Sequence, residues 1–237
     1  MPDIFQFKQF FVNQTGCAMK VNTDAVLLGA LAENEHPENV LDIGTGTGLI
    51  ALMLAQRFSN SIIDAVEINQ EAVKTAAENF KNSPFSERLN LYPLSFENYF
   101  LQHPDKKYDL IISNPPFFIN SLRSSTQAKE TARHTDKGFF KRLINNSANH
   151  LTEQGQLVLI LPLETNALVS DLSSKLNLFI QKQTLIHSFP NSEPHRTIIT
   201  FGFSPSKPNI SKFVIYEKPK VYTREYRTLL KDFLTIF

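Results

Sequence analysis

Val40-Leu41-Asp42-Ile43-Gly44-Thr45-Gly46-Thr47-Gly48 is a short apolar run that breaks into three glycines at alternate positions. Residues 39–43 suit a buried strand, and the glycines let a tight turn pass close to a ligand where a Cβ would collide. A helix-like stretch, 48–58, follows at once. Outward from this unit the pattern repeats. Strand-like runs at 61–67, 89–93, 108–113 and 155–162 alternate with helix-like runs at 69–82, 137–151 and 165–176. Such alternation with short connections predicts an α/β fold with a mostly parallel sheet covered on both faces. The final third changes character. Runs at 180–188, 196–203 and 211–216 lack intervening helices and predict an antiparallel C-terminal edge, and 222–237 reads as a terminal helix.

Upstream, Ile4 to Val12 with Asn13-Gln14-Thr15-Gly16 as the turn reads as a small hairpin. Asn22 or Thr23 is placed to cap a helix through Leu31. The segment 118–136 is rich in Ser, Thr, Gln, Arg and His and has no clear period, so it reads as a long functional connection. The expected organisation is one domain over 1–237. Residues 1–35 form a hairpin and helix, 36–204 the core, and 205–237 a basic strand and helix.

Composition excludes several classes. The chain has 237 residues, 42% apolar and 20% charged, which suits one globular α/β domain. Its longest apolar stretches, such as Leu157 to Leu161, are far too short to span a bilayer. Met1-Pro2-Asp3 opens without a signal-like run, so a soluble cytoplasmic protein is expected. The single cysteine, Cys17, excludes an internal disulfide and a cysteine zinc site. His36, His103, His150 and His187 lack metal-ligand spacing, and no metal is expected. The net charge of +1 is unevenly spread: residues 117–142 and 205–237 each carry +4, leaving −7 elsewhere. Segregated charge presents a basic face to a polyanion, or simply two solvated surfaces.

Glycine-rich strand-to-helix turns also occur in nicotinamide dinucleotide folds, and alone they discriminate weakly. Two details favour S-adenosylmethionine here. The spacing is G-x-G-x-G, and Asp42 stands two residues before the first glycine. Such an acid orients the ammonium end of methionine, directly or through water, whereas a pyrophosphate gains nothing from it. Glu67 ends the next strand, about twenty residues on, where a carboxylate accepts both ribose hydroxyls. The plainer alternative for Glu67 is a surface acid ahead of the helix from Asn69.

The second decisive stretch is Asn114-Pro115-Pro116-Phe117, directly after the apolar run 108–113. An exocyclic aromatic amine is a poor nucleophile because its lone pair is delocalised into the ring. The Asn114 side-chain oxygen and the Pro115 carbonyl can accept both of its N–H groups, drawing the nitrogen toward tetrahedral geometry. The prolines hold these acceptors in place beforehand, and Phe117 is suited to stack on a flipped-out base. Otherwise Pro-Pro is merely a strand terminator. The motif serves adenine N6, guanine N2 and glutamine amides in different methyltransferase families, so it does not by itself name the acceptor.

With these motifs in this order, the chain resembles S-adenosylmethionine-dependent amino methyltransferases. Met19 to Ala30, the NPPF motif and Thr131-Ala132-Arg133-His134 make it similar to the bacterial tRNA1(Val) adenine-N6 methyltransferases over most of 5–203. That resemblance implies a Rossmann-like class I methyltransferase fold with a seven-stranded sheet. It also implies methylation of N6 of the adenine immediately 3′ of the anticodon, adenine 37, in a tRNA partner. Asn114, Pro115 and Phe117 would be catalytic. Lys20, Thr23, Asp42, Gly44, Gly46, Gly48, Glu67 and Asn114 would hold the cofactor. The family often places an acid after the third strand to hold adenine. Here the stretch is Pro93-Leu94-Ser95-Phe96-Glu97, and only Ser95 and Phe96 carry over. Pro116, Arg133, His134, Lys137 and Arg196 are the candidate RNA contacts, although Arg133 and His134 read equally well as solvated residues flanking a helix. Methylation of rRNA or a protein glutamine, a silent RNA-binding protein on this fold, and a dehydrogenase remain the competing readings.

Overall fold

In a computed structural model the described residues are 3–15, 20–116 and 126–237, without the side chains of 126–136. The strands are β1 (Ile4–Gln6), β2 (Phe11–Asn13), β3 (Asn39–Ile43), β4 (Ile62–Val66), β5 (Leu89–Tyr92), β6 (Tyr108–Ser113), β7 (Leu151–Leu161), β8 (Phe179–His187), β9 (Pro194–Gly202), β10 (Asn209–Val214), β11 (Tyr216–Lys218) and β12 (Val221–Tyr222). The helices are α1 (Thr23–Leu31), α2 (Leu49–Arg57), α3 (Gln70–Lys81), α4 (Phe96–Gln102), α5 (Thr126–His150), α6 (Leu163–Ser174) and α7 (Arg224–Leu230).

The central sheet has eight strands rather than seven, ordered β10-β8-β9-β7-β6-β3-β4-β5. Strands β5, β4, β3, β6 and β7 run parallel, and β9 is antiparallel to both β7 and β8. The additional strand, β10, pairs parallel to β8 and closes that edge. Alternate side chains of the strands feed two cores, because both faces of the sheet are covered. Val40, Leu110, Ile112, Val158 and Ile160 pack on one side with α1, α2 and α7. Leu41, Ile43, Ile111, Leu157 and Leu159 pack on the other with α4, α5 and α6. Helix α1 is buried from Ala25 to Ala30, and Asn22 caps it by accepting from the Ala25 amide.

Four expectations need correction. The hairpin turns at Phe7–Phe10, so that Asn13 pairs with Ile4 instead of forming the turn. Helix α5 starts at Thr126, eleven residues before the periodic stretch; Gln127, Ala128, Lys129 and Glu130 are good helix formers in a segment without apolar period. Helix α4 has no counterpart among the helix-like runs, yet Ser95 caps it and Phe96, Tyr99 and Phe100 give it a buried stripe. The terminal helix is only α7, since β11 and β12 form a hairpin before it and Thr223 caps its start.

Asp64 ties the site-bearing elements together at their buried centre. Its Oδ2 accepts from Tyr99 of α4 (2.8 Å), Tyr108 of β6 (2.7 Å) and Lys106, and its Oδ1 from Asn90 of β5 (3.0 Å). Burial opposes its charge, but Lys106, Tyr108, Asn90 and Tyr99 outweigh it and hold the carboxyl below its usual range.

Candidate active site

A cavity of about 560 Å³ opens at the carboxyl ends of β3, β4 and β6. This is the topological switch point, where the chain leaves β5 on one side of β3 and re-enters as β6 on the other. Register sets the site. Ile43 is paired with both Val66 and Ser113, so Gly44, Glu67 and Asn114 leave their strands at one level. The Gly44 and Thr45 amides donate to the Val66 carbonyl at 2.9 and 3.1 Å, folding the glycine turn over the end of β4. Ser113 secures the other flank, its hydroxyl donating to the Ile43 carbonyl at 2.8 Å.

Within the turn the three glycines differ in role. All have positive φ, at 72°, 58° and 83° for Gly44, Gly46 and Gly48. A Cβ at Gly44 or Gly46 would meet nothing within 4 Å, and both line the cavity. A Cβ at Gly48 would lie 2.4 Å from Phe80 Cε1, so this glycine serves the packing of α2 against α3. Asn79 of α3, almost fully buried, braces the turn from behind. Its amide group donates to Thr47 and Asn13 carbonyls at 2.8 and 2.9 Å, and its oxygen accepts from the Asn13 amide.

Glu67 bridges the turn and the start of α3. One carboxylate oxygen accepts from the Gly46 amide (2.9 Å), the other from the Asn69 amide (2.8 Å). Each oxygen keeps lone-pair capacity for a further donor. Asp42 stands behind the turn, fully buried and outside the cavity lining. Its Oδ2 accepts from Thr45 Oγ1 at 2.6 Å, and its Oδ1 finds no partner among the described residues. Burial pushes its pKa up to about 7, with the Thr45 hydrogen bond and the nearby Ala51 amide pulling the other way.

On the opposite wall Asn114, Pro115 and Pro116 line the cavity. The Asn114 amide oxygen is buried and has no hydrogen-bond partner among the described residues. A buried acceptor without a partner is costly, and this one belongs to a residue that lines the cavity. Ser95 and Phe96 form the far end with Leu94. The Ser95 hydroxyl accepts from the Asn98 amide at 3.2 Å as the cap of α4.

The structure therefore gathers Gly44, Gly46, Glu67, Ser95, Phe96, Asn114, Pro115 and Pro116 around one cavity. Lys20, Thr23, Asp42, Gly48, Lys137 and Arg196 stand outside its lining. Lys20 lies 3.9 Å from Asp3, and Thr23 is the exposed first residue of α1. Arg196 donates to Asp24 at 2.8 Å, and beside it burial holds the His195 pKa below its ordinary value. Phe117 lies outside the described residues, as do the side chains of Arg133 and His134. Sequence reasoning missed Ile68, which follows Glu67 at the cavity mouth, and Phe139 of α5, which lies in no motif. Among the described residues there is no cluster of metal-ligating side chains and no helix long and apolar enough to cross a membrane.

The residues present fit S-adenosylmethionine. The bare faces of Gly44 and Gly46 leave a cradle, Glu67 offers acceptors for a ribose diol, and the volume lies within the usual range for such ligands. Comparison with known proteins agrees. Residues 17–183 match the family model described as methyltransferase small domain. A tRNA1(Val) (adenine(37)-N6)-methyltransferase of Pedobacter heparinus is 45% identical over 237 residues, covering both chains completely. One from Christiangramia forsetii is 42% identical, covering 97% of this chain and 96% of its own. Among solved structures, a predicted O-methyltransferase from Agrobacterium tumefaciens superposes with a TM-score of 0.69 at 20% identity, covering 89% of this chain and 96% of that one. TrmN from Thermus thermophilus gives 0.58 at 18% identity, covering 75% and 47%. These two establish the fold, a Rossmann-like methyltransferase. By that family match and by these full-length identities, the chain belongs to the S-adenosylmethionine-dependent methyltransferase small-domain family, and within it to the tRNA1(Val) (adenine(37)-N6)-methyltransferases.

Proposed function

We propose that this protein methylates N6 of adenine 37, next to the anticodon of tRNA1(Val), acting as a single cytoplasmic methyltransferase domain over its whole length. The observation that carries the chemistry is the buried, unpartnered Asn114 oxygen at the wall of the cofactor cavity. Gly44, Gly46 and Glu67 hold the cofactor, Ser95 and Phe96 border its adenine, and Asp42 acts on its ammonium end through the turn or a water. When bound, the cofactor supplies an electrophilic sulfonium methyl group.

The rest is work for the chain's own residues. Asn114 Oδ1 and the Pro115 carbonyl accept the two N–H groups of the adenine amine, which localises its lone pair for in-line attack. Asn114 stays neutral and removes no proton before transfer; the proton leaves after the methyl has arrived. Pro115 is buried and Pro116 exposed, so the rigid turn offers an apolar surface outward beside Asn114. Phe117 stacks on the extruded base. Stacking of this kind contributes roughly 1–3 kcal/mol, offsetting the cost of unstacking an anticodon-loop base.

Charge placement supports an RNA substrate. Strand β10 runs parallel to β8, and through β9 and β7 in the same sense as β6. The β11–β12 hairpin therefore starts from the edge of the sheet at which Asn114 stands. It is offset by four strand spacings, roughly 19 Å. All seven basic residues of 205–237 are exposed, Lys218 and Lys220 on this hairpin among them, and so is Lys137 of α5. Arg133, His134 and Arg196 complete the proposed contacts.

Affinity for a tRNA1(Val) transcript should fall steeply with salt through counterion release. Replacing Arg133 and Lys137 together should weaken RNA binding and reduce the salt slope by about 1 for each phosphate left without its cation, with cofactor affinity unchanged. Filter binding across a salt series checks this. A flat salt dependence in wild type would remove the support from charge.

A further inference from the structure

Helix α5 does two things at adjacent positions. Its Lys137 and Lys141 are exposed at i, i+4 spacing on one face. Phe139, between them in sequence and half-buried, projects to the other side and is the residue of α5, among those described, that lines the cavity. Its ring meets Phe96 edge-on at 5.7 Å and 84°, and Phe140 at 5.5 Å and 83°. One turn further, Arg142 Nε donates to Glu97 Oε1 at 2.9 Å. Phe96 and Glu97 are consecutive, both line the cavity, and both belong to the first turn of α4. The cofactor wall at this end is thus partly made by the same rigid helix that shows its lysines to solvent.

Residues two apart in an α-helix are separated by about 3 Å along the axis. Fixing the outer face of α5 therefore fixes Phe139 within the cavity with little slack. The reverse also holds, since a ligand gripped by Phe139 and Phe96 restrains the helix that displays Lys137 and Lys141.

We propose that Phe139 is a positioning residue of the cofactor site through which RNA bound on α5 and cofactor bound in the cavity strengthen each other's binding. This rests on the reading of α5 as part of the RNA surface. It predicts more than that reading does, because an RNA surface and a cofactor site on one protein need not communicate. The coupling has to be reciprocal: the factor by which RNA raises cofactor affinity is the factor by which cofactor raises RNA affinity. A structural role for Phe139 would instead lower stability, or one affinity, and leave the ratio alone. The Arg142–Glu97 pair joins an exposed arginine to a half-buried glutamate and contributes little by itself, so the ring contact is the element to test.

The test uses the full chain, S-adenosylhomocysteine as the non-reacting cofactor probe, and a synthetic anticodon stem-loop of tRNA1(Val). Calorimetry measures cofactor affinity with and without saturating RNA, and RNA affinity with and without saturating cofactor. In wild type both ratios should be equal and about 10-fold, within the usual span of coupling between sites. In Phe139→Ala the ratio should drop below about twofold, and Phe139→Tyr should restore it. Wild-type ratios within about twofold of unity, with RNA bound normally, overturn the coupling and leave the RNA reading intact. This holds whether or not the alanine variant folds. A folded Phe139→Ala protein that keeps the full ratio overturns the assignment to Phe139. Failure of the stem-loop to bind in any condition overturns the RNA reading, and the coupling with it.

Discussion

Asn114→Ala should lower the rate of methyl transfer by about 100-fold or more while leaving cofactor affinity within about twofold. Loss of one hydrogen bond aimed at a developing transition state costs about this much. The structure makes the substitution unusually clean. The Asn114 oxygen accepts from no described residue, so truncation removes an acceptor without breaking a bond that holds the fold. The fixed points around it are independent of the side chain: Ser113 Oγ on the Ile43 carbonyl, and the register of β6 on β3. Single-turnover transfer to the anticodon stem-loop, alongside calorimetry with S-adenosylhomocysteine, separates chemistry from binding. Near-normal turnover in the variant would reduce Asn114 to a strand-end residue and remove the proposed mechanism.

Gly46→Asp should abolish cofactor binding, by at least about 100-fold, with the fold retained. At φ 58° the residue sits in the left-handed region, which aspartate tolerates better than most side chains. A Cβ there meets no atom within 4 Å, so the new side chain has room in the empty protein and takes that room from the ligand. It also brings a second negative charge next to Glu67, whose Oε2 already accepts from the Gly46 amide. Circular dichroism and thermal melting should report a folded protein, and calorimetry should show no cofactor heat. Unchanged affinity would mean that the glycine turn is not the cofactor cradle.

Much of this could be read from the chain because both site walls are local. Gly44 to Gly48 and Asn114 to Pro116 each follow directly on a strand whose apolar character is continuous. Each therefore emerges at the carboxyl edge of a parallel sheet, where register alone brings them together. Glu67 was legible for the same reason. What escaped was positioned through long-range packing. Phe139 is brought to the cavity by a helix whose first half carries no apolar period, and one phenylalanine among 20, standing beside Phe140 in no motif, gives no signal. The contrast between Gly46 and Gly48 was equally hidden, since it depends on Phe80 of α3 lying against the second and not the first. Asp42 shows that a motif fixes a residue's place without fixing its contacts. Its position relative to the glycines suggests an acid acting on the ligand directly or through water, and the fold turns its side chain into the core, where burial lifts its pKa to about 7. The eighth strand was visible as an apolar run, but its parallel pairing with β8 is a matter of topology that no local pattern encodes.

The central claim, that the acceptor is N6 of an anticodon-loop adenine, is most directly tested by mass analysis of nucleosides. Purified tRNA1(Val) from cells with and without the gene should be digested and compared, with Asn114→Ala as a third sample. N6-methyladenosine should be present at position 37 in the first, absent in the second and strongly reduced in the third. Unchanged N6-methyladenosine in tRNA lacking the enzyme, with methyl transfer found instead on guanine N2 or a peptide glutamine, would contradict the substrate assignment.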